Sequence, residues 1–249
     1  MKQITSALSL LAVLFFSGCS KDDPYKDLNN GLILHLPFSG NFTDLSSNKN
    51  SGTFPVGIPS FVPDRFFDNS KSLELTSGQY VEIEDKGIGG LEKFTFYLEF
   101  YPKSTGYAVL VGKRALVVTP GKAYNQSFNI AINDNMQVRA QFRKTGQCQS
   151  QELSAFHPEL TSGANKVLLD CWNYVATTWD GTTQKLYLNG NLVGQQNLSG
   201  VVICDTDPVR LGTWWKGDPY YFNGLLDEFR VYNRAMSDNE VRQLYKVTK

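Results

Sequence analysis

The sequence predicts an all-β protein, a two-sheet antiparallel β-sandwich closed by a short C-terminal helix. Three observations carry this. Across residues 94–101 the chain alternates strictly, with Phe94, Phe96, Leu98 and Phe100 on one side and Thr95, Tyr97, Glu99 and Tyr101 on the other. That period of two belongs to a strand and fits no single helix face. Asn189-Gly190 sits between the β-prone segments 184–188 and 192–196, and this residue pair is favoured in tight hairpins because both members tolerate positive φ. Finally, only residues 237–245 carry a helical pattern; many short strands with little helix indicate stacked sheets.

The elements follow in chain order. Leu32-Ile33-Leu34-His35-Leu36 is an apolar first strand, and residues 38–57, rich in Ser, Asn and Gly, read as loop. Tyr80-Val81-Glu82-Ile83-Glu84 alternates apolar and charged residues, as a half-buried strand does. Segments 107–111, 115–118, 128–132 and 137–142 continue the series, with Asn133-Asp134-Asn135 as a hairpin tip. A long irregular insertion, 142–170, separates them from the strongly β-prone 172–179. Strands at 209–212 and 225–232 complete the pattern. In the helix, Ser237 and Glu240 form a capping-box pair, and Val241, Leu244 and Tyr245 make one apolar side. No repeat of the solenoid or propeller kind is present.

The N-terminus predicts export. A weakly basic start, Met1-Lys2, precedes the apolar run 8–16, which is too short to span a membrane. Ser17-Gly18-Cys19 resembles a bacterial lipobox, with Cys19 as the lipidated first residue of the mature chain. Ser20-Lys21-Asp22-Asp23 resembles the surface-export signal of lipoproteins in the Bacteroidetes group. The expected organisation is therefore a lipoprotein signal peptide over 1–18, a lipid-anchored tether over 19–30, and one sandwich domain over 31–249. Its place would be the outer membrane, held by membrane lipid and exposed at the cell surface.

Length and composition narrow the function. A chain of 249 residues suits one large sandwich. Lys plus Arg and Asp plus Glu both number 24, and this zero balance lacks the basic surplus that phosphate binding needs, which argues against nucleic acid as a partner. Aromatics reach 13%, enough to place some on a binding face. Three cysteines besides Cys19 allow one intramolecular bridge in an exported chain. Cys148 with Cys171 is the favoured pair, because it would staple the insertion between two strands; Cys171 with Cys204 is its rival.

Several motifs occur in the order expected of a laminin-G-like jelly roll. They are the 36–44 segment Leu-Pro-Phe-Ser-Gly-Asn-Phe-Thr-Asp, Leu73-Glu74-Leu75 with 79–83, the 172–181 segment beginning Trp172-Asn173-Tyr174-Val175-Ala176 and ending Asp180-Gly181, the hairpin at 189–190, and the closing 222–237. Together they resemble the concanavalin A-like lectin/glucanase superfamily over about residues 31–246. The resemblance implies a fold that usually binds glycans and only sometimes cleaves them. It also implies a structural calcium ion held by Asp44 and Asp227, since calcium takes six to eight oxygens and loop carbonyls can supply some. The superfamily's glucanases carry E-x-D-x-E on one strand, which sets carboxylates on the same face about 5 Å apart. Here Glu82-Ile83-Glu84 offers only two, and Asp227-Glu228, as neighbours in a strand, should face opposite sides.

The strongest binding candidate is the loop 212–221, with four large aromatics among Gly and Pro. Loops lie on the surface, and a flat ring stacks on the C–H face of a sugar while polar neighbours bond its hydroxyls. Trp215 and Tyr220 lead, with Lys216 and Asp218 as polar companions and Trp214 and Tyr221 as flanking rings; 124–126 is a lesser candidate. His35 lies in an apolar strand and His157 in the insertion, too scattered for a Ser-His-acid triad. The reading is a non-catalytic carbohydrate-binding surface lipoprotein that captures glycan or polysaccharide alongside other surface glycan-uptake proteins. The alternatives are an adhesion or structural protein-interaction module and a divergent glycoside hydrolase.

Overall fold

The computed structural model describes residues 28–76, 78–115, 125–148, 150, 153–204, 207–214, 217 and 219–248. Within these the chain runs through β1 (Leu32–Leu36), β2 (Gly52–Thr53), β3 (Ser60–Val62), β4 (Ser72–Leu75), β5 (Val81–Ile83), β6 (Phe94–Pro102), β7 (Ala108–Ala115) and β8 (Asn125–Ile132). It continues through β9 (Val138–Lys144), β10 (Leu160–Thr161), β11 (Asn173–Trp179), β12 (Thr183–Leu188), β13 (Asn191–Asn197), β14 (Val201–Val202), β15 (Val209–Leu211), β16 (Gly224–Tyr232) and the helix α1 (Asp238–Thr248).

These strands form two antiparallel sheets. The first has the order β13-β12-β11-β6-β16-β4-β3, with β1 also paired to β16. The second has the order β10-β9-β8-β7-β15-β5-β2, with β14 also paired to β9. The alternation seen in the sequence supplies the layer between them: Phe94, Phe96, Leu98 and Phe100 of β6 point inward, as do Phe128 and Ile130 of β8 and Ala140 and Phe142 of β9. Rings cross the gap directly, with centroids 4.9 Å apart for Phe94–Phe142 and 4.7 Å for Phe96–Phe128. Fully burying a residue such as Phe stabilises by roughly 1.5–3 kcal/mol, so this aromatic layer is a major term in holding the sheets together.

The outer face of the first sheet is covered as well. Tyr97, Tyr174, Tyr187 and Tyr232 pack there against Met236, Val241 and Leu244. The helix starts as the capping pattern predicts: Ser237 N donates to Glu240 Oε2 at 2.7 Å, and Glu240 N to Ser237 Oγ at 3.3 Å. It leans on the predicted hairpin, where Asn189 and Gly190 have φ of 52° and 75°. A Cβ on Gly190 would lie 2.6 Å from the Tyr245 ring, so glycine there serves both the turn and the close packing.

Several boundaries differ from the sequence expectation. The predicted segment 107–111 extends further, as the strand Ala108–Ala115 with irregularities at Val109/Val111 and Lys113/Arg114, while residues 116–118 of the predicted segment 115–118 lie outside the described residues. Those irregularities break the alternation and hide the strand's continuity. β2 falls inside the predicted 38–57 loop, and the insertion contributes a short edge strand, β10, against β9. The predicted Cys148–Cys171 bridge is corrected: Cys148 pairs with Cys204, Cα atoms 5.7 Å apart, and Cys171 is free and exposed. The bridge ties the insertion to the loop after β14 rather than to the start of β11.

Candidate functional site

With the helix covering much of the first sheet, the outer face of the second sheet is the broader platform. Its register sets a row of side chains across five strands. Glu82 of β5 pairs with Arg210 of β15, Arg210 with Gly112 of β7, Gly112 with Asn129 of β8, and Asn129 with Gln141 of β9. A second row runs Val109, Ala131, Arg139. Inward-facing Phe128, Ile130, Ala140 and Phe142 alternate with these residues, which fixes their outward direction.

The loop after β15 folds over this face. A Cβ on Gly112 would meet Trp214 Cδ1 at 2.5 Å and Thr213 O at 3.1 Å, so the absence of a side chain at Gly112 is what seats Trp214. Beside it, Tyr107, Trp214 and Tyr220 form a three-ring cluster, with centroids 5.8 Å (Tyr107–Trp214), 4.8 Å (Tyr107–Tyr220) and 6.2 Å (Trp214–Tyr220) apart. Arg114 lies over Trp214 and Arg139 over Tyr107, each 5.4 Å from the ring centre. Tyr220 is 42% exposed and Trp214 half-buried. Tyr221 turns its hydroxyl back to the loop and accepts from Gly217 N at 2.9 Å.

Of the residues predicted for sugar contact, the structure thus brings Trp214 and Tyr220 together and gives Tyr221 a role inside the loop. Trp215, Lys216 and Asp218 lie outside the described residues, as do Tyr124 and Cys19. The sequence reading missed Tyr107, Asn129, Arg139 and Gln141. Their polar parity marks them as outward-facing, but only the sheet order reveals that they share a face with Trp214.

The two aspartates assigned to calcium do not fit a cation. Asp44 is fully buried and its oxygens are already engaged. Oδ1 accepts from His35 N and Ser46 N, both at 2.8 Å, and Oδ2 from Asn50 N at 2.7 Å and Ser46 Oγ at 2.8 Å. Asp44 is the organiser of its own turn. Asp227 meets Arg65 instead, with Nη1 2.8 Å from Oδ2. The same Nη1 lies 2.6 Å from Glu99 Oε2, and Glu99 is the cross-strand neighbour of Asp227. A guanidinium between two buried carboxyls occupies the place a dication would take.

This acidic cluster also corrects the expectation that Asp227 and Glu228 face opposite sides. A bulge between Asp227 and Arg230, with Glu228 at φ 51°, turns both outward. They line one cavity of about 220 Å³ with Arg65, Phe66 and Lys71. Burial, joined by the charge of Glu228, pushes Asp227 up to about 8 against the opposing pull of Arg65. Burial also drives Glu99 well above the usual carboxylate range. Burial pushes Glu228 the same way, but hydrogen bonding from His35 at 2.9 Å and the charge of Arg230 outweigh it and hold Glu228 at about 2. His35 therefore points outward and hydrogen-bonds Glu228.

Sheet order, inner aromatic layer and C-terminal helix together define a jelly-roll sandwich of the lectin-like class. The chain belongs to the concanavalin A-like lectin/glucanases superfamily, whose Laminin_G_3 family matches residues 75–242. Its fold is similar to that of the binding domain of Paraclostridial Mosquitocidal Protein 1, with a TM-score of 0.68 and 17% identity, over 89% of this chain and 53% of that one. It is similar also to domain 4 of AbnA, an extracellular GH43 arabinanase from Geobacillus stearothermophilus solved in complex with arabinotriose, with a TM-score of 0.64 and 18% identity over 86% and 98%. The binding domain of botulinum neurotoxin DC in complex with SialylT gives a TM-score of 0.63 at 12% identity over 89% and 52%. Among curated proteins, a botulinum-like toxin of Enterococcus sp. (strain 3G1_DIV0629) is 32% identical over 94 residues, which is 35% of this chain and 7% of that toxin. The chain thus spans a small part of the curated relative and about half of the toxin binding domains.

Proposed function

We propose that this chain is a non-catalytic carbohydrate-binding lipoprotein of the outer-membrane surface that captures glycan for a polysaccharide-utilisation system, anchored through Cys19. The observation that carries the reading is the Tyr107–Trp214–Tyr220 cluster on the outer face of the second sheet, with Tyr220 42% exposed. An exposed ring backed by packed neighbours is a rigid apolar wall for a sugar. Two further points support it. Two of the similar solved structures are toxin binding domains, one of them in complex with SialylT, and a third, domain 4 of AbnA, is in complex with arabinotriose. Three neighbouring carboxyls with shifted proton affinity, Glu99, Asp227 and Glu228, are engaged by Arg65, His35 and Arg230, which suits stability better than turnover.

A glycan array with the purified protein tests this. Binding to at least one polysaccharide, weakened at least tenfold by Tyr220→Ala with the melting temperature kept, is the expected result. Reducing-sugar release from the bound polysaccharide would instead establish a hydrolase. A second reading, protein adhesion, draws on the exposed Phe66 and Phe67, 52% and 86% accessible on the loop that carries Arg65. It prevails if arrays stay blank while a surface protein co-purifies and Phe67→Ser releases it.

A further inference from the structure

One residue on the outer face of the second sheet is not explained by packing. Asn129 is fully buried, yet neither its Oδ1 nor its Nδ2 has a hydrogen-bond partner among the described residues. Native proteins rarely bury a whole amide without partners; where they do, ordered water or a ligand commonly supplies them. One register diagonal away, Arg139 Nε is also buried without a partner among the described residues, while its Nη2 is shared between Gln141 Oε1 at 3.2 Å and Glu159 Oε2 at 2.7 Å. The place therefore offers one open acceptor and two open donor groups beside a three-ring aromatic wall.

Charge on the same face selects the ligand class. Arg139 is neutralised by Glu159, and Arg210 by Glu82 at 2.9 Å. Arg143 is fully buried and donates to the carbonyls of Gln147 and Ser150, both at 2.7 Å. Arg114 has partners of its own and packs over Trp214. A carboxylate or sulfate arriving here would have to break an existing ion pair. A sugar hydroxyl would not, since it both donates to an amide oxygen and accepts from an amide or guanidinium N–H.

Resting on the glycan-binding reading, we propose that Asn129 and Arg139 Nε form the polar floor of a subsite for a neutral sugar, with Tyr107, Trp214 and Tyr220 as its wall, and that the ligand is a neutral glycan rather than a sialylated or uronic one.

The test is calorimetric titration of the full-length protein with neutral oligosaccharides (arabino-, xylo-, galacto- and gluco-series) and with anionic ones (sialyllactose, oligogalacturonate). Neutral ligands should bind and anionic ones should be at least tenfold weaker. Asn129→Leu, near in volume but without polar atoms, should weaken neutral binding at least tenfold while the melting temperature stays level or rises, because the unsatisfied amide is gone. Should the leucine variant fail to fold, Asn129→Ser serves the same comparison. Wild-type affinity in these variants would show that the amide merely holds water and overturn the subsite, leaving glycan binding itself intact. A preference for anionic ligands would overturn the assigned class. Silence of the wild type across the whole panel would overturn the glycan reading, and the subsite with it.

Discussion

Arg65 shows how much one side chain can decide. Its guanidinium reaches from the loop between β3 and β4 to both Glu99 and Asp227. Asp227, pushed up to about 8, already holds a proton at neutral pH, so removing Arg65 strands buried hydrogen-bonding groups more than charge, which typically costs about 1–3 kcal/mol. Arg65→Ala should therefore lower unfolding stability by about 2 kcal/mol in a denaturant titration. The pH dependence follows from Asp227. Its folded pKa of about 8 lies above the unfolded value of about 3.9, so between those limits the folded state holds a proton that the unfolded state has lost. Its contribution is complete below about pH 4 and fades as pH rises through 8, at up to about 1.4 kcal/mol per pH unit. Glu228, held at about 2, acts in the opposite sense: its contribution is present above the unfolded value and lost as pH falls toward 2. Melting curves from pH 4 to 9 should show the first fall, and Asp227→Asn should flatten it. None of this was legible in the sequence. Asp227-Glu228 reads as two opposed neighbours until the bulge at φ 51° is seen, and nothing local ties residue 65 to either.

At the scale of elements, the sequence was most informative where apolar residues are dense. β1, β6, β11, β12 and β16 follow from runs of inward apolar residues, and α1 from its capping pair and apolar side. It was least informative where pairing is short or irregular. β2, β10 and β14 have two residues each, too few to show a period, and exist because a longer neighbour offers an open edge. The disulfide belongs to this second group. Cys148 and Cys204 are 56 residues apart, and their meeting depends on β14 lying along the end of β9, which no spacing rule announces. Cys204→Ser should cost about 2–4 kcal/mol in denaturation under oxidising conditions, whereas Cys171→Ser should change stability by less than about 0.5 kcal/mol. Non-reducing peptide mapping should recover Cys148 linked to Cys204.

At the scale of the whole molecule, the fold answers which face is free. The jelly roll was readable from the order of its motifs, and the family match over 75–242 bears it out. The proposed binding face was not readable: the aromatic loop was visible, but its neighbours Tyr107, Asn129 and Arg139 come from three separate strands or their ends, joined only by sheet order. The proposed address has its own check. Mass spectrometry of protein from membranes should find an acylated Cys19 as the first residue, and Cys19→Ser should move the protein to the soluble fraction. The most direct test of the binding account is a crystal structure with a neutral oligosaccharide that the protein retains. The account predicts a sugar ring stacked against the Tyr220–Trp214 wall on the outer face of the second sheet, with a hydroxyl within hydrogen-bond distance of the Asn129 amide. A sugar seated against the Arg65 cavity or along the helix-covered first sheet, with Asn129 still buried and untouched, would contradict it.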